Sequence, residues 1–168
     1  MASSEQAVNK GTDTGLDLDV LPQLLGYHIR LAQIAVFRDF GAAFGSYDMT
    51  PTLYASLLLI DRNPGLKQTD LAQAVQLDRS TVVSVIDNLE GRELVVRNRA
   101  TDDRRSNALS LTRKGKELLA KLGPVLKAHE QRLVSDLSAS EQAELKRLLG
   151  KIFPDYRWLS DFFDFSAQ

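Results

Sequence analysis

One stretch of the chain combines a basic side chain, small hydroxyls and an amide at helical spacing. Between Asp78 and Asn88 the apolar residues recur every three or four positions, so the polar residues share the opposite face of a predicted helix. A guanidinium can bond O6 and N7 of guanine together, and small donors can reach base edges or phosphates in the major groove. An ordinary amphipathic surface helix is the alternative interpretation. The polar face comprises Arg79, Ser80, Thr81, Ser84 and Asn88.

A second cluster of such residues lies in the segment 97–107, between two short stretches of strand type. Its arginines flank a turn-rich sequence, whereas a purely structural hairpin needs only turn residues. Guanidinium groups at the tip of a hairpin suit a narrow minor groove, where the negative potential is strongest. We expect Asp103 to orient Arg105 through a charge-assisted hydrogen bond, and a solvated charge run is the alternative. The arginines are Arg97, Arg99, Arg104 and Arg105.

The elements that would hold these two segments are a helix-turn-helix and a hairpin that follows it. Asp78 is a suitable N-cap for a helix over 79–90, and a shorter helix over 68–75 precedes it. Two short helices joined by a tight turn form a helix-turn-helix. Gln68, at the start of the first of them, is a further candidate DNA contact. The two strands of the hairpin are predicted at 94–97 and 108–111.

Longer helices flank this central part on both sides. The first 16 residues are polar and are expected to form a loose tail, and a helical stripe then predicts one helix over 17–44 with Pro22 in its first turn. The helix that begins near residue 113 is expected to reach residue 137, with a bend near Pro124. The remaining helix starts are marked by Thr50 before Pro51, by Thr112, and by Ser138 with its capping-box partner Glu141.

The composition limits the classes of protein that the chain can represent. Apolar residues make up 43% and charged residues 26%, as in a soluble globular domain, and no apolar run approaches the length of a membrane span. We therefore expect a cytoplasmic protein that has no membrane partner. The chain has no cysteine and two histidines about a hundred positions apart, so we expect neither a metal site nor a cofactor.

The distribution of charge is more informative than the net charge of −1. The segment 67–116 holds ten Lys and Arg against seven Asp and Glu, and the rest of the chain is acidic. A basic middle is typical of a protein that contacts phosphates. The chain shows no glycine-rich phosphate loop, nucleophile elbow or histidine metal motif, so we do not expect an enzyme. A winged helix used only for protein contacts is the remaining alternative, although such a wing would more often carry apolar anchors.

The chain resembles the multiple-antibiotic-resistance regulator (MarR) family from about residue 21 to residue 153. The string 103–115 is similar to the family's wing signature, an Asp-x-Arg followed by a strand and Leu-Thr-x-x-Gly, while 77–82 looks like the start of its recognition helix and 70–72 like the helix before it. The resemblance implies a mainly α fold with a small β-hairpin wing: a winged helix-turn-helix at about 50–112 between dimerisation helices at about 17–45 and 113–168.

The resemblance also implies what the protein does. It indicates a transcriptional regulator, more often a repressor, that binds a pseudo-palindromic DNA operator as a homodimer and is released when a small, often aromatic, ligand binds. Some positions depart from the family pattern. Val83 and Ser84 stand where many relatives have Thr and Arg, and Lys67 stands where a Ser or Thr cap is common. Glu93 occupies a usual glycine position, and Gly91 is expected to shift the end of the helix instead.

Side chains on the first two long helices are candidates for the effector site. An aromatic acid or its coenzyme A thioester would suit an arginine beside aromatic rings, whereas a histidine at the edge of the core and a solvated arginine are the alternatives. The aromatic tail 156–165 is expected to contribute to the dimer interface, together with the apolar helices near 21–40 and 145–153. The candidate ligand residues are Tyr27, His28, Arg38 and Tyr54.

Overall fold

The computed structural model describes residues 15–99 and 107–152, with the side chains of Arg99 and Asn107 left out. The chain divides into two units, Met1–Val36 and Phe37–Gln168. Within the described ranges, no helix has both the length and the apolar character that a bilayer span requires.

In the first unit the long helix begins later than the sequence predicts. A 3₁₀ turn at Leu21–Gln23 contains Pro22, and Leu24 is extended, with ψ at 119°, so α1 spans Leu25–Phe44. The predicted start at Asp17 is therefore wrong, because the extended Leu24 separates the proline turn from the helix. Most of the large apolar side chains described in this unit lie exposed, among them Leu24, Leu25, Leu31, Ile34 and Val36.

In the second unit, α2 spans Pro51–Arg62 and precedes the predicted helix-turn-helix, in which α3 spans Gln68–Ala74 and α4 spans Arg79–Gly91. The hydroxyl of Thr50 accepts a hydrogen bond from the Leu53 amide, which confirms the predicted cap of α2. The turn between α3 and α4 passes through Gln76 in the left-handed region, at φ 54°.

A small antiparallel sheet follows the helix-turn-helix and includes a strand that the sequence did not reveal. β2 spans Val95–Arg99 and β3 spans Asn107–Leu111, close to the predicted hairpin strands. The additional strand β1 spans Leu66–Lys67 and pairs with β3, which gives the order β1-β3-β2. Two residues are too short for an alternating pattern, so this strand depends on its partner.

Two helices complete the described part of the chain. α5 spans Arg113–Leu133, starts at the predicted cap Thr112 and continues as one helix through Pro124, although it ends before the predicted residue 137. α6 spans Ala139–Ile152. The predicted capping box is present, because the Ser138 amide donates to Glu141 Oε2 at 2.8 Å and the Glu141 amide donates to Ser138 Oγ at 3.3 Å.

The core of the second unit lies between the helix-turn-helix, the sheet and α5. Phe40 and Phe44 stack with their ring centroids 3.9 Å apart, and Phe44 also meets Tyr54 edge to face. Burial of Val82, Ile86 and Leu89 in this core fixes the inner face of α4 and leaves its opposite face to solvent. Fully buried apolar residues from each layer are Leu57, Ile60, Leu71, Val82, Ile86, Leu89, Val95, Leu109 and Leu122.

Candidate nucleic-acid interface

The polar face of α4 is solvent-exposed, as the sequence predicts. Asp78 caps the helix by accepting the Thr81 amide at 2.9 Å. Arg79 and Asn88 project at opposite ends of the face, and neither makes an ion pair or side-chain hydrogen bond within the described part of the chain. The exposed residues of this face include all five predicted ones, Arg79, Ser80, Thr81, Ser84 and Asn88.

The hydroxyls on this face donate their protons inside the protein. Ser80 Oγ donates to Asp78 Oδ1 at 2.5 Å, and Thr81 Oγ1 donates to Asp78 Oδ2 at 2.6 Å. These bonds hold the pKa of Asp78 well below its usual range, so the carboxylate stays ionised and keeps both donors. Ser84 Oγ donates to the carbonyl of Ser80 at 3.4 Å. The sequence predicts small hydrogen-bond donors on this face. In the structure the hydroxyl groups use their protons within the protein, so mainly their acceptor lone pairs remain for an outside partner.

The predicted wing begins beside this helix. In the pairing of β2 with β3, Arg97 lies opposite Leu109 and Arg99 lies opposite Asn107. Asn98 Nδ2 donates to Ser110 Oγ at 3.2 Å across the pair. Arg99 is therefore the last residue of β2, next to the segment that connects β2 to β3. Asp103, Arg104 and Arg105 lie in that segment, outside the described residues.

Arg97 turns toward α4. Its guanidinium forms ion pairs with Asp87 and Glu90, and its backbone amide lies 3.4 Å from Glu90 Oε1, as a donor. The Arg97 side chain is 21% exposed. The Arg97 guanidinium is therefore already paired within the protein. Contact between Arg97 and DNA stays a prediction.

The start of α3 lacks a side-chain cap, whereas the end of α4 is held by a contact that sequence reasoning missed. Gln68 is half-buried at the first residue of α3, and Lys67 before it makes no side-chain cap, in keeping with its departure from the family pattern. Arg92 follows α4 and donates to the carbonyls of Tyr47 and Asp48, both at 2.8 Å. The end of α4 is thereby tied to the loop that precedes α2. No local pattern marks a guanidinium that reaches backbone carbonyls more than forty positions away.

Comparison with known proteins assigns the arrangement to a family. Residues 49–106 match the model of the MarR family. Over 130 residues the chain is 38% identical to a protein of Thauera aromatica whose name assigns it to regulation of the hcr operon, and the match covers 77% of this chain and 78% of that relative. The chain belongs to the MarR family.

Solved structures agree with that assignment. The transcriptional repressor CouR bound to a 23-mer DNA duplex superposes with a TM-score of 0.77 at 39% identity, over 82% of this chain and 97% of that one. CouR bound to p-coumaroyl-CoA gives a TM-score of 0.76 at 36% identity, over 82% of this chain and 96% of that one. MarR-family proteins are transcriptional regulators and not a family of enzymes.

The MarR-type Leu-Thr-x-x-Gly string has a clear structural basis in this chain. Thr112 Oγ1 accepts the Gly115 amide at 3.0 Å and donates to the Glu93 carbonyl at 2.6 Å, which joins the start of α5 to the start of β2. Glu93, at the position where the family usually has glycine, adopts the left-handed conformation at φ 61°. The expectation that Gly91 shifts the helix end is wrong, because α4 runs through Gly91 and residue 93 still takes the left-handed position.

The four candidate ligand residues lie in different surroundings. Tyr27 is half-buried with its ring 6.2 Å from that of His28, and His28 Nε2 lies 2.8 Å from the Pro22 carbonyl oxygen. Arg38 is exposed and has no partner within the described residues. Tyr54 is buried in the core, and burial raises the pKa of its hydroxyl.

A groove between the second half of α1 and α5 presents another candidate ligand site. It is an open groove of about 590 Å³ that combines small apolar walls with the ion pair of Asp39 and Arg132. Asp39 accepts from Arg132 Nε at 3.1 Å and from Nη2 at 2.9 Å, and its second contact is His129 Nδ1 at 2.5 Å. These bonds lower the pKa of Asp39 to about 2, with the Arg132 bond the largest cause. The groove is lined by Asp39, Ala42, Ala43, Pro124, Val125, Ala128 and Arg132.

Proposed function

We propose that this protein is a homodimeric repressor that binds a pseudo-palindromic DNA operator through α4 and the wing. The exposed polar face of α4 beside an arginine-bearing hairpin supports the proposal most directly, and a relative of 39% identity has been solved on a DNA duplex. The protein would act in the cytoplasm, by binding and without catalysis. Its two copies of α4 would then read half-sites about one helical turn apart.

The proposed dimer uses the two ends of the chain. α6 presents Leu145, Leu148, Leu149 and Ile152, each residue 37% to 46% exposed, and the first unit exposes a similar set. Continuous apolar faces of this kind are costly to leave in water, and a second copy would cover them.

The proposed effector is a small aromatic acid or its coenzyme A thioester. The groove between α1 and α5 supports this class, because its alanine, valine and proline walls suit an aromatic body and Arg132 suits a carboxylate or phosphate. Such an anion would compete with Asp39 for Arg132 and so alter the link between α1 and α5. Tyr27, His28, Arg38 and Tyr54 stay predicted ligand residues, separate from this groove.

The test is a titration of the purified protein on labelled DNA from immediately upstream of its own gene. Repetition with hydroxycinnamates, benzoates and their coenzyme A thioesters should identify a compound that weakens binding. Linkage requires DNA to weaken the binding of that compound by the same factor. Equal ligand affinity with and without DNA would contradict the effector assignment, and a lack of preference over random DNA would contradict the repressor assignment.

A further inference from the structure

The ion pairs of Arg97 join the two parts of the proposed DNA interface. Asp87 and Glu90 lie about one turn apart on α4, and both carboxylates meet the same guanidinium from β2. The backbone amide of Arg97 also donates to Glu90 Oε1 at 3.4 Å. One arginine therefore contacts two acidic residues of the helix that is proposed to enter the major groove.

The alternation of β2 explains why Arg97 faces the helix. Val95 is fully buried, and Arg97 follows it by two residues, on the same face of the strand. Val96 and Asn98 occupy the other face and are exposed. The pairing of Arg97 opposite the buried Leu109 holds this register. To contact a phosphate, the Arg97 side chain would have to leave the face that packs on α4.

We propose that Arg97 is a positioning residue that holds the wing against α4 and neutralises Asp87 and Glu90, and that it is not a phosphate contact. The proposal rests on the proposed DNA-binding function. Without Arg97, the carboxylates of Asp87 and Glu90 would lose their shared counter-charge on the helix proposed to bind DNA, and uncompensated carboxylates repel phosphates. With Arg97 in place, the first part of the wing and α4 move as one body, so an effector would shift both together.

A set of charge-neutral variants distinguishes positioning from direct contact. Arg97→Met keeps the apolar stem of the side chain, and it is made both in the wild type and in the Asp87→Asn/Glu90→Gln background. Binding to a random-sequence duplex of about 30 base pairs is measured from 50 to 300 mM salt. If Arg97 positions the wing and neutralises the acids, Arg97→Met weakens binding about tenfold in the wild type and less than threefold in the neutralised background.

Arg147→Met serves as the control, because Arg147 is also an arginine paired with a carboxylate, that of Glu144, but lies on α6 outside the proposed interface. It should change binding less than twofold. A phosphate contact at Arg97 predicts the opposite pattern: the same loss in both backgrounds, and a salt slope smaller by about 0.9. That result would overturn the proposal.

A measurement without DNA keeps the proposal testable if the protein binds no DNA at all. Hydrogen exchange at the amides of 95–98 should be faster in Arg97→Met and in Glu90→Gln than in the wild type, and unchanged in Arg147→Met. Equal exchange in all four proteins would show that the ion pairs do not hold the wing, and it would overturn the proposal whatever the DNA result. Absence of DNA binding by the wild type alone would count against the proposed function.

Discussion

The carbonyl oxygen of Leu94 lies 2.1 Å from the position that a Cβ on Gly115 would occupy. Gly115 is the glycine of the Leu-Thr-x-x-Gly string, in the first turn of α5, and Leu94 directly precedes β2. The contact involves backbone, which cannot move aside as a flexible side chain can. The close approach of α5 to the base of the wing therefore requires glycine at this position.

Gly115→Ala should destabilise the protein by about 1–3 kcal/mol or more, because the added methyl group must displace the backbone of Leu94. Chemical denaturation measures the loss. Gly91→Ala is the matched control, since Gly91 also lies in a helix and an added Cβ there meets nothing within 4 Å. The control should be neutral or stabilising by up to about 1 kcal/mol. Equal stability of Gly115→Ala and wild type would refute the close approach.

Glu93→Gly should stabilise the protein by up to about 1 kcal/mol. For a residue with a side chain, the left-handed conformation costs about 1–2 kcal/mol of stability. Glu93 adopts this conformation, at φ 61°. The substitution also removes the 2.9 Å ion pair of Glu93 with Lys114, but exposed pairs contribute only about 0–1 kcal/mol. Lys114→Met, which breaks the pair and keeps Glu93, isolates that contribution. A greater loss of stability in Glu93→Gly than in Lys114→Met would contradict the strain argument.

Asp39, which bonds Arg132 and His129, should make a pH-dependent contribution to the stability of the protein. Because the folded-state pKa of Asp39 is lowered from 3.8 to about 2, its contribution is fully present above pH 4 and is lost as the pH falls toward 2. Denaturant unfolding of wild type and Asp39→Asn between pH 7 and pH 2 should show a difference that shrinks over that range. A difference that stays constant with pH would mean that the ionised carboxylate is not the stabilising group.

Arg79 and Arg105 should have separable effects on DNA binding. Arg79 is exposed at the start of α4, where loss of a bidentate base contact costs about 1–3 kcal/mol at one base-pair position, so Arg79→Ala should relax specificity. Arg105, in the connecting segment of the wing, is predicted to act through phosphates and minor-groove potential. Arg105→Ala should weaken specific and random DNA alike and reduce the salt slope. Circular dichroism and thermal midpoints control for folding, and identical base preferences of Arg79→Ala and wild type would contradict base readout.

Local chemistry in the sequence predicted most of the helix boundaries. Thr50, Asp78, Thr112 and the pair Ser138 and Glu141 each have a side chain that can cap a helix, and each does so in the structure. The start of the first helix was misplaced, because an apolar stripe continues through the turn at Leu21–Gln23 without any change in pattern.

Relationships between distant residues were not predictable in this way. His129 and Asp39 are 90 positions apart, and a single sequence gives no sign that they meet. The arginines near the wing looked alike in type and spacing, yet the strand alternation directs Arg97 toward Asp87 and Glu90. The residue types therefore indicated a DNA-binding surface, while the roles of single side chains depended on the packing.

The salt dependence of DNA binding tests the central claim most directly. The equilibrium constant for a duplex from upstream of the gene, and for a random duplex of equal length, should be measured between 50 and 300 mM salt. If the protein is a winged-helix regulator, log K should fall linearly with log salt, with a slope of about 0.9 for each phosphate neutralised. The upstream duplex should also bind more tightly than the random duplex at every salt concentration. Affinity that does not change with salt, or no binding to either duplex, would contradict the assignment of α4 and the wing to DNA.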